Sequence, residues 1–197
     1  MRRRDARVWR KAHSFEDLSW LTVGWLEGAL LSHPNGHHGG PDSETRPLMP
    51  VLCEAYRGGF LTEGSQPGEL AEQEGTLWHQ RAYVSGFAGP GLAGVLGEVA
   101  RQAGLVTRIY LPAGRPMLHG GAVDVTRWGE RINTGVGEFL RPRAVRSVFL
   151  GCRTDAVEEV LAAWQVTVVD PEWGRNDVLW GTLRRALAAH RQEGAQQ

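Results

Sequence analysis

Apolar side chains recur along this chain with two spacings, three to four residues in some stretches and two in others, and the switches between them lay out its elements. From Ser14, a residue suited to capping, Leu18, Leu21, Trp25, Leu26 and Ala29 keep to one helical face, which predicts a helix ending near Leu31. A second helix starts at Asp42 or Ser43, runs through Leu48, Val51, Leu52 and Ala55, and stops at Gly58-Gly59. Leu92, Val95, Leu96, Val99 and Ala103 form a third stripe between Gly89-Pro90-Gly91 and Gly104. A fourth helix covers Asp155 to Trp164, and a fifth is capped by Asn176 with Val178, Leu179, Leu183 and Leu187 inward.

Strand spacing predicts strands at Phe60-Leu61-Thr62, Trp78 to Phe87, Leu105 to Leu111, Ala122 to Trp128, Val145 to Gly151 and Gln165 to Val169. Strand, helix and strand in succession over 78–111 form a crossover unit, so these two strands are expected to be parallel. The units from Val145 onward read as half of an open α/β sheet with Asp170 at a strand end, where it is read first as a turn former before Pro171. The expectation is an α+β or α/β fold, one domain with a mixed sheet and about five helices. Residues 1–12 form a basic arm, 13–190 the globular domain and 191–197 a flexible tail.

The densest polar stretch lies between two of these strands, from Gly59 to Phe87. Ser65-Gln66-Pro67-Gly68 has turn composition, because Pro presets one turn dihedral and Gly tolerates the next, and the acidic run Glu69 to Glu74 lacks periodicity and reads as a loop. Pairing of the flanking strands as a hairpin brings Ser65 and Gln66 close to His79, Gln80 and Arg81. Ser65, Gln66, Gln80, Arg81 and Tyr83 are therefore candidate ligand contacts, and Arg115, in a second polar cluster, joins them. His79 and His119 are the candidate catalytic groups, since imidazole exchanges protons near neutral pH. Between the first two helices, His33, His37 and His38 sit in a Gly- and Pro-rich loop. Their spacing matches no metal signature, so a loop beside the polar site that closes as a lid is weighed against a metal site completed by Asp42 or Glu44.

Composition narrows the function. The 197 residues carry 22 basic and 22 acidic side chains, a balance that argues against a basic nucleic-acid-binding surface. Lys11 is the only lysine, which disfavours Schiff-base chemistry and points to a GC-rich coding sequence. Cys53 and Cys152 sit in apolar surroundings and are expected as buried free thiols. No apolar run is long enough for a membrane span and none follows the basic N-terminus as a signal sequence would require, so a cytoplasmic location is expected. Walker, dinucleotide-binding, HExxH, CxxC and GxSxG motifs are absent, and neither cofactor nor metal is called for.

The segments GFLTEGSQPG and QRAYVSGF, with WLEG earlier and VDPEWGRNDVLW later, resemble a family of proteins from actinobacteria and their phages defined as a domain of unknown function. The resemblance covers most of the chain and implies an actinobacterial source, but no reaction. Three functions stand against one another. The first is binding of, or enzymatic action on, a small polar anionic, nucleotide-like ligand held by Arg81 and Arg115, since guanidinium pairs bidentately with oxyanions. The second is a protein-interaction module in phage–bacterium defence or counter-defence, with Trp9, Trp128 and Trp173 as anchors among the eight tryptophans. The third, least favoured, is nucleic-acid binding through the N-terminal arm and Arg141, Arg143 and Arg146.

Overall fold

A computed structural model describes residues 2–73, 75–112, 116–118 and 121–195. The chain opens with α1 (Arg3–Trp9) and α2 (Phe15–Leu26), then a 3-10 turn at Arg46–Leu48 leads into α3 (Met49–Arg57). Four strands follow: β1 (Phe60–Gln66), β2 (Glu69–Gln73), β3 (Thr76–Gln80) and β4 (Tyr83–Ala88). Next come α4 (Pro90–Gln102), β5 (Val106–Tyr110), β6 (Pro116–Leu118), β7 (Val123–Trp128) and β8 (Arg131–Val136). The last elements are α5 (Pro142–Val148), α6 (Thr154–Ala162), β9 (Trp164–Val169) and α7 (Val178–Gly194).

The strands form two sheets, β1-β4-β9-β5-β6 and β2-β3-β7-β8, and every pairing is antiparallel. The expected mixed sheet is therefore corrected to an α+β fold of two antiparallel sheets. β4 and β5 do run in the same direction on either side of α4, but β9 enters between them and pairs with both. The crossover spans one strand position, a split βαβ arrangement that strand order along the chain does not reveal. α4 and α7 cover one side of the main sheet, where Val84 and Val168 meet Leu96, Ala100, Leu179 and Leu183. Phe60, Leu61, Phe87, Ile109, Val166 and the inward faces of all seven described α-helices share one core.

Several element assignments change for identifiable reasons. The strand expected at Val145 to Gly151 is α5, in which Pro142 occupies the first turn and Val145, Val148 and Phe149 have the i, i+3, i+4 spacing of a helical face. The acidic run 69–74 contributes β2, held by its ladder with β3 although Glu69, Leu70 and Glu72 are exposed. The long strand 78–87 is cut at Arg81-Ala82, with β3 in the small sheet and β4 in the main one. The basic arm folds as α1 and docks by Trp9, fully buried with its indole N–H on the Ser32 carbonyl at 2.9 Å. At the other end, α7 continues to Gly194, into the expected tail. Ser14 caps α2 as expected, accepting from the Asp17 amide at 3.1 Å. Asn176 does not cap α7; its side-chain oxygen instead accepts from Gly68 N–H and the Trp180 indole, both at 2.9 Å.

Candidate functional site

β1 departs from regular pairing at one place, between Thr62 and Gly64, where Glu63 is the extra residue of a bulge opposite Gly86 and Ser85. A bulge redirects a side chain out of the strand's alternation, and a glycine beside it admits a close neighbour. Both effects are visible. A Cβ on Gly64 would lie 3.1 Å from both the Tyr83 hydroxyl and Ser85 Oγ, so these side chains sit close against the bare glycine. On the other flank the Tyr56 hydroxyl is 2.5 Å from Thr62 Oγ1 and donates to the Thr62 carbonyl at 3.3 Å, tying the bulge to α3.

Glu63 accepts a hydrogen bond from Ser85 Oγ at 3.2 Å. It lines two cavities. The first, of about 160 Å³, is enclosed by α2, α3, the end of α5 and the loop between α2 and α3, with Trp25, His37, Asp42, Glu44, Tyr56 and Ser65 among its walls. The second, of about 290 Å³, opens over the main sheet between Ser85, Tyr110, Gln165, Thr167 and residues 135–138. Glu63 and Tyr83 belong to both. Burial raises the Glu63 carboxyl above the usual carboxylate range, an effect the Ser85 hydrogen bond partly offsets. Burial likewise pushes the Tyr83 phenol up to about 12, with the Glu63 and Glu44 carboxylates adding to the shift, and Tyr56 rises for the same first reason.

The histidine loop is a built wall of the first cavity. Ser32 and His38 bridge across its base, His33 N–H donates to the His37 carbonyl at 3.0 Å, and Gly39 N–H returns to Leu31 at 2.8 Å. His33 itself is buried, with the Trp9 and Trp25 rings each centred 5.0 Å away, and desolvation lowers it to about 4. The metal alternative is corrected here: among the described residues no three His, Cys, Asp or Glu side chains stand where they could hold an ion. His33 is turned into the tryptophan cage, with Thr22 Oγ1 at 3.5 Å from Nε2 and the Asn35 amide donating to Nδ1 at 3.4 Å.

The residues singled out by sequence divide into three groups. Ser65 and Tyr83 line the first cavity. Gln66, Gln80, Arg81 and His79 lie at the junction of the two sheets. Gln66 donates to the carbonyls of Arg81 and Val125 at 2.9 and 3.1 Å, and buried Gln80 donates to Pro67 O at 2.9 Å and to Glu44 at 3.3 Å. The Arg81 guanidinium donates to the Asp124 carbonyl at 2.9 Å and lies 4.0 Å from the centre of the Trp173 ring, which His79 meets edge-on at 6.2 Å. Arg115 and His119 fall outside the described residues. Asp170 is fully buried and bound to the Arg175 guanidinium, with contacts of 2.7 to 2.9 Å, so it holds the turn after β9. Of the arginines considered for nucleic acid, Arg146 is paired with Glu158 at 2.8 Å.

Sequence reasoning missed Glu63, Tyr56 and Thr62 as site residues and named Glu44 only as a possible metal ligand. The available signal was the glycine following Thr62-Glu63 inside an otherwise regular strand pattern, a mark of a bulge or close approach. A family model described as a domain of unknown function, DUF6919, matches residues 4–190, from α1 to the last turns of α7. The chain belongs to that family. The DUF6919 match takes in both cavities, the histidine loop and the sheet junction. No curated protein matches the chain.

Proposed function

We propose that the chain binds a small polar molecule bearing amine or hydroxyl donors in the cavities on either side of Glu63, and that Glu63 exchanges a proton with it. The observation that supports this most is the placement of a half-buried carboxyl of raised pKa on a bulge, as a wall common to both cavities. Carboxyls of this kind are suited to general acid–base work near neutral pH. The ligand class follows from the lining. Asp42, Glu44, Glu63 and Glu138 contribute acidic groups, Trp25, Tyr56 and Tyr83 aromatic surface, and no described Arg or Lys lines either cavity. An oxyanion would meet carboxylates without a guanidinium, whereas an ammonium or a polyol would find acceptors and aromatic faces. This moves the ligand away from the nucleotide-like anion suggested by Arg81, whose guanidinium is committed to Trp173 and Asp124.

A cytoplasmic setting and an actinobacterial or phage origin fit this reading. Cys53 and Cys152 are free thiols raised by burial, as expected of a reducing compartment, and the family motifs and single lysine favour that source. Among the described residues, no helix is long and apolar enough to cross a membrane.

A thermal-shift panel of amines, amino acids, polyols, sugars and nucleotides tests the proposal, because a ligand of the native state raises the melting temperature by mass action. The expected result is a shift by an amine or a polyol that is lost in Glu63→Gln and kept in Arg81→Ala. Shifts confined to phosphates, kept in Glu63→Gln and lost in Arg81→Ala, would overturn it and return the site to the sheet junction.

A further inference from the structure

The small sheet leaves one side open to solvent. Cross-strand partners put Leu70, His79, Arg127 and Ile132 in one row and Glu72 and Leu77 in the next, and alternation along β2 and β3 places both rows on the same side. Leu70, Leu77 and Ile132 are 61%, 55% and 45% exposed, among the large apolar exposures of the described residues. Single exposed aliphatics are ordinary, whereas several gathered on one sheet side mark a contact surface.

Trp173 covers part of this side from the segment after β9, edge-on to His79 and beneath the guanidiniums of Arg81 and Arg127 at 4.0 and 4.8 Å. Tryptophan and arginine beside aliphatic side chains is the composition of interface centres. The charges on this side have both signs, and Arg127, stacked on Trp173, has no carboxylate paired with it. Neither the Arg127 nor the Glu72 side chain makes a hydrogen bond or ion pair with a described residue. Glu172 and Asp124 act on Arg81 through space without forming an ion pair with it. An acidic partner would meet Glu72, and a basic one would meet Arg127. A surface on which an arginine and a glutamate each lack an oppositely charged partner is complementary to itself, as an interface with twofold symmetry requires.

We propose that this side of the small sheet is the contact between two copies of the chain, with Leu70, Leu77 and Ile132 buried between them and Arg127 facing Glu72 of the partner subunit. The second cavity touches this sheet only at Gly135 and Val136 of β8, and none of Leu70, Glu72, Leu77, Arg127 and Ile132 lines either cavity, so the proposal stands independently of the ligand reading. Sedimentation velocity of the full chain over a concentration series tests it. The expected result is a monomer–dimer equilibrium that shifts at least tenfold toward monomer in Leu77→Asp and in Glu72→Arg, with dimerisation regained when Glu72→Arg is combined with Arg127→Glu. The three positions are on a solvent-facing side, and unchanged circular dichroism of each variant separates lost association from lost fold. A wild-type monomer at every soluble concentration overturns the proposal and leaves this side to a different partner. A dimer insensitive to these substitutions also overturns it, because association then uses another surface.

Discussion

At the scale of single residues, the molecule spends its conspicuous polar groups in two ways. Arg81, Gln66 and Gln80 serve the backbone at the sheet junction, whereas Glu63 and Tyr83 face open volume. Arg81→Ala removes a stacked cation and a hydrogen bond to a carbonyl, so it is expected to cost about 1–3 kcal/mol of stability, measurable by urea unfolding, with cavity binding retained. His33 gives a second prediction. Its folded-state value of about 4 lies below its ordinary 6.5, so the neutral ring is the form the fold accommodates. Its stability contribution is present above the unfolded value and is lost as pH falls toward 4, by on the order of 3 kcal/mol in all. Melting temperature measured from neutral to acid pH should fall through that window, and His33→Gln should flatten the fall. Ser65 and Tyr83 were named from the sequence by the polar density of their stretch, and both line the first cavity, although Ser65 is in β1 and not in the expected turn. Glu63 was not legible, because a glutamate in an alternating strand looks like a solvent-facing residue until the bulge is known.

Elements were legible where one spacing persisted. α2, α4, α6 and α7 follow apolar stripes, and β5, β7 and β9 follow runs of β-branched residues. The misread segments are those in which a tertiary partner decides. β2 has no sustained apolar alternation and exists by its ladder to β3, while α5 is short enough for its apolar residues to fit either period. The β1–β4 pair positions the site and allows no thickening at Gly86, where an added Cβ would collide with the Leu61 carbonyl and stand 2.6 Å from Thr62 Cα. Gly86→Ala is expected to separate these strands and cost more than 2 kcal/mol, in the range of other overpacked core positions, read from the unfolding midpoint. Tyr56→Phe is milder. It removes the hydroxyl that holds Thr62 and should cost about 1 kcal/mol while weakening ligand binding through a looser bulge, a loss calorimetry of ligand and variant would register.

On the scale of the whole molecule, two antiparallel sheets meet at Arg81-Ala82, where the chain leaves one and enters the other. The turn after β9 locks the junction. Asp170 N–H donates to the Ala82 carbonyl and Gly174 N–H to that of Gln80, both at 2.9 Å, and Arg175 neutralises the buried Asp170 carboxylate. The order of strands was beyond reach of the sequence because β9, which separates β4 from β5, arrives more than fifty residues after β5 in the chain. The consequence for function is that Glu63 sits on a sheet fixed from both sides, with a polar cavity to each side of it. The most direct measurement is the titration of the Glu63 carboxyl by carbon-13 NMR, assigned with Glu63→Gln, in the free protein and with the strongest amine or polyol from the thermal panel. The expected midpoint lies above the ordinary glutamate range in the free protein and shifts when the ligand is bound. A carboxyl that titrates at the ordinary value and ignores the ligand would contradict the proposal.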